Sequence, residues 1–190
     1  MDTRRSLLNA ARSLVAAKGV KAATIAAIAE KAGVAKGLLF YYFDSKESVI
    51  RAVAQELDAE YTAGLRKSCL GGCALDCLHA LFRHHFDFLD HNVEGAQFLY
   101  QSAPSRLGNG VAGFYEHLYA GVVAVLERGA AAGEFRVADA GELAYMILGS
   151  LHGIGRLKLF DFKRDYDAAS HLCVFYDTVL LGRAQGAEGS

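Results

Sequence analysis

Lys36, Gly37, Leu38, Tyr41, Tyr42 and Lys46 fall in one short stretch, with Thr24 a short helix upstream. An ammonium pairs with phosphate or with guanine, and a phenol hydroxyl reaches phosphate oxygens. A glycine lets a backbone come close to what it meets. An outward face made of these groups is odd for a solvated surface but suits the major groove of DNA. The sequence shows no constellation for catalysis. It has no strand–turn nucleophile elbow, no phosphate-cradling glycine loop, and no paired carboxylates at helical spacing beside a histidine, so an enzyme is not expected.

Three short helices must position that face. Thr24 is an N-cap, and Ile25, Ile28 and Ala29 form one apolar side at spacings of three and four. Ala32-Gly33-Val34 follows, with Gly33 in place to end the helix in a left-handed conformation and Val34 to plug the angle after it. The next helix starts near Ala35 and turns Leu39 and Phe43 inward at i, i+4. Asp44-Ser45-Lys46-Glu47 then signals a new helix start, with Asp44 or Ser45 as cap. Upstream, Leu7, Leu8, Ala11, Leu14 and Val15 follow helical spacing, and Gly19 is expected to end that first helix. The pattern is a helix-turn-helix, with Ile25, Ile28, Leu39 and Phe43 as the core that holds the reading helix.

The stretch Thr24, Ile28-Ala29, Ala32-Gly33-Val34, Lys36-Gly37, Leu39, Tyr42-Phe43 and Ser45-Lys46-Glu47 resembles the TetR family of bacterial transcriptional regulators. The close match covers about the first quarter of the chain. The resemblance implies backbone contacts to DNA from Thr24, Lys36, Tyr42 and Lys46, with the helix from Ala35 to Phe43 in the major groove. Two positions depart from the family pattern. Phe40 stands where Tyr is common, and Leu38 stands where Thr is common, so a phosphate contact gives way to an apolar one. Ala26, Ala27 and Ala35 occupy positions where family members often carry polar base readers. Specificity is therefore expected from Lys36, Tyr41 and DNA shape.

Charge is distributed in agreement with this reading. The chain carries a formal net charge of −1 over 190 residues. Residues 1–51 hold nine Lys and Arg against four acids, and the remainder holds eleven against seventeen. A basic module on an acidic body localises the electrostatic footprint. Composition is 53% hydrophobic with one proline, which favours an all-α fold. No stretch reaches the ~18–20 apolar residues that span a bilayer, and the N-terminal run is interrupted by Asn9, Arg12 and Ser13. The expectation is a cytoplasmic protein with no membrane association. It comprises a three-helix DNA-binding domain over 1–48, a larger helical ligand-binding and dimerisation domain over 49–183, and a disordered tail over 184–190.

Helices are expected from Lys46 to about Arg66, Ala74 to His91, Glu94 to Ser102, Gly113 to Ala132, Asp139 to Phe160 and Asp167 to Arg183, with 102–110 as loop. The last two are apolar on more than one side and so need partners on more than one side. The resemblance implies that they pair with their symmetry mates in a homodimer, with Ile147, Leu151, Ile154, Leu172, Phe175, Tyr176, Val179 and Leu180 as interface. Such a two-fold dimer predicts a palindromic operator, with reading helices about one DNA turn apart. The resemblance also implies a regulatory pocket in the middle of the chain. Candidate lining residues are Tyr61, Phe82, Phe86, Phe98, Tyr100, Phe114, Tyr115, Tyr119 and His152, which suit a small, mainly apolar inducer. No cofactor and no bound metal are expected. An alternative reading makes the region of Cys69, Cys73 and Cys77 with His79, His84 and His85 a metal or thiol-redox sensor, although the spacing is not a recognised zinc pattern.

Overall fold

The computed structural model describes residues 2–68, 72–102, 109–159, 162 and 165–182, with side chains from residue 113 onward in the third segment. Among them lie nine helices and no strand: α1 (Thr3–Ala22), α2 (Ile25–Ala32), α3 (Lys36–Tyr42), α4 (Lys46–Ser68), α5 (Ala74–His91), α6 (Val93–Ser102), α7 (Asn109–Ala131), α8 (Ala140–Leu159) and α9 (Ala168–Leu181). The fold is all-α. Its contacts gather into two compact units. One takes in the described residues of 1–61 and 91–116, and the other those of 62–90 and 117–190.

In the first unit the helix ends are set by local chemistry. The Asp2 carboxylate accepts the Arg5 N–H and starts α1. Gly19 breaks α1 at φ 76°, as expected, but a further turn resumes through Ala22, because glycine takes the left-handed region without Cβ strain and the apolar Val20 and Ala23 still find the core. Thr24 caps α2, its Oγ1 accepting the Ala27 N–H at 3.1 Å. Gly33, at φ 69°, closes α2 while its N–H reaches Glu30 O and the Val34 N–H reaches Ala29 O, each at 3.0 Å. The start of α4 is a reciprocal cap. The Ser48 N–H donates to Ser45 Oγ and the Ser45 N–H to Ser48 Oγ, each at 3.1 Å, so Ser48 fills the place Glu takes in the usual capping box.

Leu7, Leu8, Ala11 and Val15 of α1, Ile28 of α2, Leu39 of α3, and Val49, Ile50, Val53 and Leu57 of α4 are all buried and form the core of this unit. Packing of α6 along α1 completes it. Gly95 permits that approach, since a Cβ there would lie 2.7 Å from Leu57 Cδ2 and 2.6 Å from Asn92 Oδ1. Arg12 bonds Asn92, and Asn92 Nδ2 donates to Glu60 at 3.2 Å.

The second unit is built around Leu78, Leu81, Phe82, Val122, Leu126, Ile147 and Leu151. Glu134 starts α5 from a distant part of the sequence, its Oε2 accepting the N–H of Ala74 at 2.7 Å and of Leu75 at 3.2 Å. The Ala74 N–H is the main cause that holds this carboxyl below the ordinary glutamate value. A depressed carboxyl pKa stabilises the fold above the unfolded value, and that stability is lost as pH falls through the folded one. Glu134→Gln is therefore expected to melt below the parent at neutral pH. The gap should close as pH drops below about 4.5, the ordinary value, in parallel thermal melts.

Most expected helices agree with the observed ones to within a few residues at each end. Of the loop assigned to 102–110, Ser102 belongs to α6 and residues 109 and 110 belong to α7, while 103–108 lie outside the described residues. The tail over 184–190 and Cys69 also lie outside them.

Candidate functional site

The outward face of α3 is held in place from behind. Leu39 is fully buried and Phe43 is 6% exposed, so this edge of α3 is locked into the core. The remaining side chains stand free of the core. Lys36 and Gly37 are exposed, as are Leu38, Phe40, Tyr41 and Tyr42. Tyr41, at 79%, is the most exposed large apolar residue of the group and projects opposite the buried edge. Its ring meets that of Tyr42 edge-on, with centroids 5.0 Å apart. Thr24 is exposed and spends an oxygen lone pair on the cap while keeping its hydroxyl proton to donate.

Lys46 differs from the other basic candidate. Its Nζ donates to Val20 O at 2.5 Å, so it satisfies a carbonyl in the turn that follows the Gly19 break and ties α4 to α1. An ammonium has three donors, which leaves two for a phosphate. Arg4 and Arg5, not among the candidates, are engaged nearby. Arg5 pairs with Glu56 at 2.9 Å, and the Arg4 guanidinium lies 5.5 Å from the centre of the Phe43 ring. Arg4 thus packs on the end of α3, while Arg5 ties α1 to α4.

The aromatic candidates for a pocket are drawn from both compact units. Tyr61, Phe98, Tyr100, Phe114 and Tyr115 belong to the first unit, whereas Phe82, Phe86, Tyr119 and His152 belong to the second. Tyr61 packs edge-on to Phe114, centroids 5.0 Å apart, and Phe114 to Tyr115 at 5.5 Å. Burial raises the Tyr61 phenol well above its ordinary value and pushes Tyr115 up to about 12. Phe82 lies 5.4 Å from Tyr176, whose hydroxyl bonds Ser150 Oγ at 3.1 Å. Tyr119 is 36% exposed and is the outlier of the group. A polar cleft of about 330 Å³ in the first unit is lined by Arg5, Asn9, Arg12, Glu56 and Glu60, together with apolar residues of α1 and α4, and by none of these aromatics.

His85 is a buried polar group that the pocket reading left out. Burial, followed by the charges of His84 and His152, lowers it to about 3, so it is neutral in the folded protein at neutral pH. His84 packs its ring against Gly64, where a Cβ would lie 2.4 Å from Cε1. A depressed histidine pKa gives stability above the ordinary value near 6.5, and that stability is lost as pH falls toward about 3. His85→Phe is expected to lose less stability than the parent between pH 7 and pH 4, as read by thermal melts at the two values.

Burial within the single chain divides the expected interface residues of α8 and α9. Ile147, Leu151, Leu172, Tyr176 and Leu180 are buried within the single chain, at 0 to 7% exposure, and hold the helices to their own core. Ile154 is half-buried. Of the expected interface residues, Phe175 at 57% and Val179 at 48% are exposed, joined by Tyr145, Met146, Leu157 and Val174. A shallow groove of about 680 Å³ runs along α9 between Ser170 and Val179.

Cysteines are placed unevenly. Cys73 and Cys173 are free, and Cys77 is disulfide-bonded. Cys73 Sγ accepts the Asp76 N–H at 3.4 Å. That bond lowers its pKa, but the Asp76 side chain, burial and the charges of Asp76 and Glu134 outweigh it and leave the thiol raised. His79 bonds Asp177 at 2.6 Å. Among the described residues no group of three His, Cys, Asp or Glu is arranged to hold a metal ion.

Comparison with known proteins places this geometry. Residues 7–53 match the model of the bacterial regulatory proteins of the tetR family. The HTH-type transcriptional repressor KstR2 of Rhodococcus jostii (strain RHA1) is 31% identical over 160 residues, covering 76% of this chain and 74% of that protein. The fold is that of FadR from Bacillus subtilis, solved in complex with stearoyl-CoA, with a TM-score of 0.81 at 19% identity over 95% of this chain and 99% of that one. A TetR-family regulator from Rhodococcus sp. superposes with a TM-score of 0.79 at 23% identity, over 95% of this chain and 100% of that one. Among the described residues no helix is long and apolar enough to cross a membrane. The chain belongs to the TetR family of bacterial regulatory proteins, a family of DNA-binding transcriptional regulators.

Proposed function

We propose that the protein is a homodimeric repressor that binds a palindromic operator through α3 and is released by a small, mainly apolar molecule. The observation that carries this reading is the contrast across α3. One edge is sealed into the core, while an ammonium, two phenols and a bare glycine backbone face outward. Thr24, Lys36, Tyr42 and Lys46 hold phosphates in this reading, and Gly37, Leu38 and Tyr41 approach the base edges. Residues 1–48 form the DNA-binding domain and 49–183 the ligand-binding and dimerisation domain.

The dimer is formed by the exposed apolar side chains of α8 and α9, since a two-fold contact needs one self-complementary patch. Repression is supported by the likeness to KstR2, named as a repressor. The ligand class is supported by the aromatic candidates and by the FadR of Bacillus subtilis, which carries stearoyl-CoA. A ligand that binds better to a conformation with wrongly spaced α3 helices must weaken DNA binding by the same factor.

The test is selection of duplexes from a random DNA pool by purified protein, with Lys36→Ala, Tyr42→Phe as control. Both substituted residues are exposed, and Lys46 is left intact because it also holds Val20 O. Enrichment of a palindrome by the parent, lost in the control, is the expected result. Equal enrichment by both would remove α3 from the reading role.

A further inference from the structure

The chemistry of α3 restricts what it can read. Apart from buried Leu39, the helix presents one ammonium, two phenols, and three residues with no polar side-chain atom: Gly37, Leu38 and Phe40. It carries no amide, carboxylate or guanidinium to read adenine or cytosine edges, and Lys36 alone on α3 has the charge to read a guanine edge. Ala26 and Ala35, exposed at the same end of the motif, add only methyl groups. The base-edge feature that an apolar group distinguishes in the major groove is the thymine 5-methyl.

The geometry favours such a contact. Tyr41 projects opposite the buried edge, with Leu38 three residues before it and Gly37 four before it, so the three share one strip of the helix surface. The edge-on contact with Tyr42 restrains the Tyr41 ring and reduces the entropy lost when it docks. Gly37 has no left-handed φ, and a Cβ there would meet nothing within 4 Å. The fold itself gives no reason for a glycine at that position, whereas close approach of the helix to the groove does.

We infer that α3 reads its operator through thymine 5-methyl groups, packed against Leu38 and the Tyr41 ring beside the bare backbone of Gly37. This inference rests on the reading that α3 enters the major groove. It predicts thymines at the selected half-site positions that face α3.

Replacing those thymines one at a time with deoxyuridine removes the methyl and leaves every hydrogen-bonding group in place. Each symmetric half-site loss is expected to weaken binding about fourfold, and a symmetric pair about 15-fold, as follows from about 0.8 kcal/mol for one buried methyl. In Leu38→Ala the deoxyuridine penalty at the position Leu38 covers should disappear, and Tyr41→Ala should do the same at its own position. Deoxyuridine duplexes bound as tightly as the parent duplex would overturn the methyl readout and leave the operator reading standing. Failure to select any duplex would overturn both.

Discussion

Met146→Asp, Phe175→Asp yields a folded monomer whose affinity for the full operator is about three orders of magnitude lower. Both side chains are exposed, at 66% and 57%, so charging them removes no core contact and the melting temperature should hold. In a two-fold dimer each carboxylate meets its own symmetry mate or a nearby apolar surface, and neither is tolerated. The loss follows from arithmetic. Joining two half-site contacts in one particle raises affinity by about 10²–10⁴, and the monomer forfeits that gain. Sedimentation and operator titration measure the two effects. The control is Ile147→Asp, at a fully buried position of the same helix, which is expected to unfold the chain. A double variant that stays dimeric would move the interface away from α8 and α9.

Gly37→Ala is expected to raise thermal stability while lowering operator affinity at least tenfold. In a helix interior alanine is favoured over glycine by about 0.5–1 kcal/mol, and Gly37, in the first turn of α3, gains part of that. Nothing in the protein lies within 4 Å of the new methyl. The fold therefore gains from the exchange, and the cost falls where the helix meets DNA. Gly95→Ala is the contrasting case, since its Cβ meets Leu57 and Asn92 at 2.7 and 2.6 Å, so stability rather than DNA affinity should suffer first. A Gly37→Ala protein with parental operator affinity would show that the backbone there does not approach DNA closely.

The helix-turn-helix was legible because each of its signals is local. Thr24 caps, Gly33 turns, Leu39 and Phe43 face inward, and each of these acts within one or two turns of its own position. The Glu134 cap on α5 and the Lys46 bond to Val20 O join residues far apart in sequence, so no periodic pattern announces them. The apolar coats of α8 and α9 showed that both helices need several partners. They did not show which side the chain's own core takes, and Ile147, Leu151, Leu172, Tyr176 and Leu180 prove to be inside. Aromatic type alone likewise does not tell to which compact unit a residue belongs. The chosen residues divide between two compact units, because a large apolar ring is equally at home in either core.

The most direct measurement is operator affinity as the spacing between half-sites is changed. In the proposed dimer, two α3 helices would sit about one helical turn apart, roughly 34–36 Å, on one face of the duplex. Inserting about half a turn of DNA, roughly five base pairs, puts the second half-site on the opposite face. Affinity should then fall to that of a single half-site and recover in part when a full turn is inserted. Affinity indifferent to spacing would contradict a dimer that reads its operator through two α3 helices.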